Sequence, residues 1–267
     1  MNSHMSEKVG VSRRNFIRSG VSALALPLLG GCMGSPTGAE SQEGSARLTA
    51  RPGAPTESPT IGLSDLDIDG GPSGLMYVPE SYSPDTPMPL FIGMHGAGGD
   101  ADNWNGSYPG RAEERGMVFL APDSRDHTWD VISGRGFGRD VERLDAMLHY
   151  TFERCRIDPT RIALGGFSDG ASYALSLGIG NGDLFSHLVA YSPGFYVIPD
   201  PVVGTPPVFI SHGTLDPILP FLNTRDRIVP SLRESGHDVT FYEFTGGHEV
   251  IASASTAALD WFFGVAA

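Results

Sequence analysis

Between residues 74 and 244, seven short apolar runs are spaced by longer segments, and this alternation restricts the fold more than any other property of the chain. The runs are GLMYVP (74–79), PLFIGMHG (89–96), MVFLAPDS (117–124), RIALGGFS (161–168), HLVAYSPG (187–194), PVFISHG (207–213) and DVTFYEF (238–244). Most are continuous rather than alternating, the pattern of strands covered on both faces. DVERLDAMLHYTFERC (140–155), GASYALSLGIG (170–180), FLNTRDRIVPSLRESG (221–236) and VIASASTAALDWFFG (250–264) read as helices, with a kink expected at Pro230. Strands and helices in this order predict an α/β fold, a mostly parallel sheet with helices on both faces. Ligands of such folds bind at the carboxyl ends of the strands. With 267 residues, 40% of them apolar, the chain can bury one such core, expected over residues 61–267. There is no internal repeat.

The residues before that domain have a different texture. Arg13 and Arg14 precede a moderately apolar stretch from Ile17 to Leu29 and then LGGC, ending at Cys32. Residues 1–32 therefore read as an export signal, too short and glycine-rich for a permanent span. The paired arginines with Phe16 resemble a twin-arginine signal, and LGGC resembles a lipobox whose cysteine would be lipidated and hold the protein at a membrane. The other reading of Cys32 is a bystander thiol at an ordinary signal end. Residues 33–60 are rich in Pro, Gly, Ser, Thr and Glu and are expected to form a flexible linker. Beyond residue 31 the chain has 14 Arg, no Lys and 30 acidic residues, a net charge of −16. That balance argues against nucleic acid as a partner. Cys155 is the one cysteine besides Cys32, so no disulfide framework is expected.

Chemistry concentrates at the predicted strand ends. ALGGFSDGAS (163–172) places Ser168 between a predicted strand and a predicted helix, with Gly166 and Gly170 on either side. A bare Gly-x-Ser-x-Gly would arise by chance about 0.4 times in so glycine-rich a chain, and the strand-turn-helix context is what makes it a nucleophile elbow. A serine hydroxyl needs a base, and the base needs an orienting group. His248, in the loop after the last predicted strand, is the candidate base. His95 and His212 also sit at strand ends, but each precedes a glycine and is read as a structural residue shaping its loop. Asp216, three residues past PVFISHG, is the candidate acid. Asp123 competes from another strand end, yet only Asp216 gives the order Ser, Asp, His. The backbone N–H groups of Asp169 and of Ala97, in HGAGG, are the candidate donors to an oxyanion.

These segments, GGFSDG, MHGAGG, HGTLDPILP and GGHE, resemble the α/β-hydrolase superfamily, and their order and spacing resemble its phospholipase/carboxylesterase branch over roughly residues 74–264. The resemblance implies a serine esterase with Ser168 as nucleophile, His248 as base and acid, Asp216 as orienting carboxylate and Ala97 and Asp169 as oxyanion hole. It implies neither metal nor cofactor. Two departures concern the substrate: Asp169 stands where many members have Gln, and HGAGG replaces the commoner HGLGD. Only the twelve residues 195–206 separate HLVAYSPG from PVFISHG, so no cap domain is expected. Trp104, Trp129 and Phe137 in the rim loops, and Ile218 beside Asp216, are candidate substrate contacts; for the three aromatics, anchoring their loops to the core is the equal alternative. The functions left open are a carboxylesterase for short or medium acyl esters, an extracellular polyester depolymerase or feruloyl-type esterase, and a surface binding protein that kept the fold without the chemistry.

Overall fold

The computed structural model describes residues 44–265 apart from Asp69. The arginine pair, Cys32 and the first part of the expected linker lie outside the described residues. Eight strands, β1 (Gly62–Asp67), β2 (Pro72–Val78), β3 (Met88–Met94), β4 (Val118–Pro122), β5 (Ile157–Phe167), β6 (His187–Tyr191), β7 (Val208–Gly213) and β8 (Val239–Phe244), form one sheet in the order β1-β2-β4-β3-β5-β6-β7-β8. The pairings of β2 with β1 and β4 are antiparallel and the rest parallel. Every residue of β3, β4 and β7 is buried, which is why these segments read as continuous apolar runs.

Helices cover both faces. On one lie α3 (Arg139–Arg154), α4 (Asp169–Ile179) and α6 (Val229–Glu234), whose apolar residues share a core cluster with the sheet. On the other lie α1 (Asp102–Asn105), α2 (Tyr108–Arg115) and α7 (Ala252–Phe263), packed through Trp104, Tyr108, Ala112, Leu259 and Phe262. A short α5 (Phe221–Asn223) and a π-helical turn at Thr224–Ile228 precede α6. The hydrogen-bond register thus changes just ahead of Pro230, which cannot donate within a helix. Residues 192–207 hold neither helix nor strand, so no cap is inserted between β6 and β7. This is the α/β-hydrolase fold.

Three elements escape the sequence pattern. In the edge strand β1 only Leu66 is buried, so it lacks an apolar run. Helices α1 and α2 fall in a stretch expected to be rim loop, where Gly106, Pro109 and Gly110 disguise them; Pro109 sits in the first turn of α2, where a proline costs no hydrogen bond.

The expectation of a flexible linker over residues 33–60 needs correcting for the described part. Ala46, Leu48 and Ala50 are buried in the core while Arg47, Thr49 and Arg51 between them are not, a strand-like alternation. The segment supplies partners to the end of α4, whose last carbonyls lack intrahelical donors. Arg47 donates to Gly180 O at 2.5 Å, and Asn181 accepts from Leu48 N–H at 2.9 Å and donates to Ala46 O at 2.7 Å. Arg47 and Arg51 both pair with Asp183, holding its carboxyl well below the usual carboxylate range despite some opposing burial. Farther along, the amides of Thr56 and Glu57 both donate to Glu153 O at the end of α3. Cys155, just past α3, is fully buried, and burial pushes its thiol up to about 12.

Because Leu48 is sealed into the core, Leu48→Ala is expected to cost about 2–4 kcal/mol. Equilibrium unfolding in urea measures this, and a loss below about 0.5 kcal/mol, typical of a surface change, would return the segment to the status of a tether.

Candidate active site

The order of the sheet reverses at β3, whose successor β4 lies on one side and β5 on the other, and such a switch point opens a crevice at the strand ends. Ser168 sits there between β5 and α4 with φ 56° and ψ −118°, a conformation a residue with a Cβ holds only under strain. Its neighbours must be small. A Cβ on Gly166 would meet Gly170 C and O at 2.3 Å, and one on Gly170 would meet Met94 O at 2.3 Å and His95 O at 2.4 Å. The Ser168 N–H is fixed by Tyr191 O at 2.9 Å, which ties the turn to the end of β6.

Two loops bring the other residues to this serine. His248, after β8, has Nε2 at 2.8 Å from Ser168 Oγ and Nδ1 at 2.6 Å from Asp216 Oδ2. The carboxylate can only accept, so Nδ1 carries the proton and Nε2 is left to accept from the serine hydroxyl. The ring of Phe167 packs against the imidazole, centroids 4.8 Å apart.

Asp216, after β7, has two backbone amides and two ring nitrogens directed at its carboxylate. Oδ1 accepts the N–H groups of Ile218 at 2.8 Å and Leu219 at 2.9 Å. Oδ2 is shared between His248 and His212 Nε2, the latter at 3.1 Å. Burial pushes the Asp216 carboxyl up, but the His248 bond and the two amides outweigh it and hold the group below its ordinary value. His212, read from the sequence as a loop-shaping residue, thus also touches the acid. Its Nε2 faces Leu219 O at 3.0 Å as well, so it must be the protonated nitrogen. Burial, the largest influence, lowers its pKa and keeps the ring neutral. Asp123 accepts from Ala101 N–H at 2.7 Å and so fastens the end of the loop after β3, where α1 begins.

The two segments that carry the expected oxyanion donors both border this serine. Asp169 is the first residue of α4, so its N–H has no intrahelical partner. The loop carrying Ala97 packs against Ser168 so closely that a Cβ on Gly96 would lie 3.2 Å from the serine Cβ. Both halves are held by one segment invisible to motif reading, residues 124–130. His127 O accepts from Gly98 N–H at 2.7 Å, and Thr128 Oγ1 donates to Asp169 Oδ2 at 2.6 Å. Trp129 Nε1 donates to His95 O at 2.9 Å. Ser124 N–H donates to His95 Nε2 at 3.0 Å, so His95 Nδ1 carries a proton and donates to Gly96 O at 2.7 Å. Asp130 and Asp140 anchor the segment in turn, each accepting the other's backbone N–H.

The four candidate substrate contacts divide. Trp104 is buried but lines a cavity beside the serine. Trp129 and Phe137 belong to the core, their rings packed on Tyr173 at 5.1 and 6.4 Å, so for these two the anchoring alternative is the one the structure adopts. Ile218 is 65% exposed on the rim. Among the described residues no three His, Cys, Asp or Glu side chains converge as a metal site.

Residues 125–262, just over half the chain, match the family Phospholipase/Carboxylesterase. The chain belongs to the phospholipase/carboxylesterase family. Within the stretch matched to that family lie Ser168, Asp216 and His248, whereas the HGAGG loop lies before it. Among curated relatives, "Feruloyl esterase B" of Thermothelomyces thermophilus is 27% identical over 125 residues, 44% of this chain and 42% of that protein. "Probable feruloyl esterase C" of Aspergillus niger is 28% identical over 176 residues, 62% of each. The chain thus spans about half the length of these relatives. The solved structure of esterase PE8 superposes with a TM-score of 0.57 at 22% identity, covering 77% of this chain and all of that one, a likeness of fold.

Two substitutions probe this arrangement. Gly170→Ala is expected to destabilise the protein by more than about 3 kcal/mol, because the new methyl meets two backbone carbonyls that cannot retreat; thermal unfolding reads this, and near-normal stability would contradict the packing. Thr128→Val is expected to lower kcat on p-nitrophenyl butyrate about tenfold with KM little changed, less than the 10²–10³ cost of deleting an oxyanion donor outright. Thr128→Ser should restore it, and equal rates in all three proteins would remove Thr128 from the positioning role.

Proposed function

We propose that the chain is a serine carboxylesterase hydrolysing short or medium acyl esters through Ser168, His248 and Asp216. What carries the reading is the unbroken pair of hydrogen bonds, 2.8 and 2.6 Å, running from a strained serine to a histidine to a buried carboxylate. Ser168 Oγ attacks the ester carbonyl carbon as its proton passes to His248 Nε2, and Asp216 steadies the resulting imidazolium. The carbonyl oxygen becomes an oxyanion facing the N–H groups of Ala97 and Asp169 at the positive end of α4. Collapse expels the alcohol with the proton from His248, leaving an acyl-serine. Water, deprotonated by the same histidine, attacks the acyl carbon; the bond to Ser168 Oγ then breaks, His248 returns the proton to the serine and the acid leaves. No step calls for a metal or cofactor.

An extracellular polyester depolymerase or a feruloyl-type esterase is the second reading, and one observation favours a bulky, apolar substrate. Leu215, Ile218 and Leu222 stand 56–69% exposed on the segment after β7 that carries Asp216. Contiguous exposed apolar residues at a site mark a contact surface. The names of the curated relatives support the feruloyl form. Export rests on the N-terminal sequence, and lipidation of Cys32 is part of the same proposal; Cys32→Ser is expected to move the protein from the membrane to the soluble fraction, and unchanged membrane association would reject the anchor.

The decisive experiment is Ser168→Ala assayed on p-nitrophenyl butyrate. A fall of roughly three to six orders of magnitude in kcat with folding intact is expected; an unchanged rate would remove Ser168 as the nucleophile, and no turnover by the parent would leave the chain a binding protein with a hydrolase fold. Asp216→Asn should lose about 10³–10⁴ whereas Asp123→Asn should stay within a few-fold of the parent; the reverse outcome would transfer the acid role.

A further inference from the structure

A cavity of about 260 Å³ opens beside Ser168 between the HGAGG loop, the α1–α2 pair and the start of α7. Its lining includes Gly96 and Phe167, which flank the serine, and Trp104, Tyr108 and Val250 supply apolar walls. Its lining includes no Asp or Glu, although the chain has 31 acidic residues. The one lining side chain that carries a charge is Arg111, since His95 is fixed as a neutral ring by one accepted and one donated bond.

Arg111 lacks the partner its neighbour has. One turn along α2, Arg115 pairs with Asp260 of α7 at 2.5 Å. Four residues earlier on α7 the position facing Arg111 is Thr256, whose Oγ1 accepts from Nη1 at 3.0 Å, and Nη2 reaches only Ala252 O at 3.5 Å. Among the described residues no carboxylate pairs with Arg111. A half-buried guanidinium left uncompensated next to an apolar cavity binds an incoming carboxylate through charge-assisted hydrogen bonds, strengthened by the reduced local polarity.

We propose that Arg111 and this cavity form an anion subsite, so that the preferred substrates are esters bearing a free carboxylate. This rests on the esterase reading for the location of the reacting ester, and not for the binding itself. The apolar walls hold the carbon chain or ring between the ester and the carboxylate, and the guanidinium holds the far end. The carboxylate can belong to the acyl half, as in a half-ester of a dicarboxylic acid, or to the alcohol half, as in an acylated hydroxybenzoate.

Paired substrates separate these sources. Monoethyl adipate against ethyl hexanoate tests the acyl side, and 4-acetoxybenzoate against phenyl acetate tests the alcohol side, with products followed by chromatography. In one of the pairs the parent enzyme is expected to favour the carboxylate ester by at least tenfold in kcat/KM. Arg111→Gln should collapse that ratio toward one, and Arg111→Lys should retain part of it. The parent's preference should also shrink as salt rises from about 0.01 M to about 1 M, where the screening length falls from about 30 to about 3 Å; this readout needs no variant to fold. Binding of the same esters to Ser168→Ala by calorimetry gives the ratio without turnover. If the parent hydrolyses none of the esters yet the carboxylate forms still bind more tightly through Arg111, the esterase reading fails and the subsite stands. No preference in either pair, or a preference indifferent to both salt and Arg111→Gln, overturns the subsite.

Discussion

The strained turn at Ser168 is the constraint around which the molecule is organised. A residue held at φ 56° between strand and helix cannot stay there by local preference, and three contacts impose it. Tyr191 fixes its amide from β6, Gly170 presses against the carbonyls of Met94, the last residue of β3, and His95 just after it, and Gly166 lies against Gly170 itself. β5 is therefore seated between β3 and β6 with no room to slip. The same closeness brings the loop after β3 against the serine and makes room for the first N–H groups of α4 to face outward. Sheet order, glycine placement and the position of one hydroxyl are a single geometric problem.

Around that turn, hydrogen bonds remove freedom one group at a time. Asp216 has four donors for its two oxygens, two of them ring nitrogens, and so has little capacity to do anything but accept. Residues 124–130 fasten the loops on either side of the serine through His127 O and Thr128 Oγ1. Such a site needs little rearrangement when charge develops in it, which is the property that gives fixed dipoles their effect.

Much of this was legible in the sequence because its signals are local. Continuous apolar runs announced the buried strands, and Ser168, Asp216 and His248 each fall just past one of them, in the expected order. What was not legible depends on partners distant in the chain. Leu48 and its alternating neighbours looked like linker because three small apolar residues amid Pro, Gly and Ser say little until the end of α4 is there to receive them. The β1 edge strand buries too little to show a pattern. Trp129 and Phe137 could be cleft walls or anchors on composition alone, and the packing of both rings against Tyr173 is a property of the packed state. The holding role of residues 124–130 runs in part through backbone groups, His127 O and Ser124 N–H, which every residue type but proline can offer, and in part through Thr128 and Trp129 side chains whose partners are distant in the chain.

Cys155 gives the domain an electrochemical character. It is the single thiol among the described residues, it has no accessible surface, and burial raises its pKa and keeps it protonated. Disulfide exchange and oxidation proceed through an exposed thiolate, and this one is neither exposed nor ionised. The folded domain is accordingly indifferent to the redox potential around it: the same covalent structure and the same core exist in a reducing compartment and in an oxidising one, without an isomerase or an oxidant to complete it.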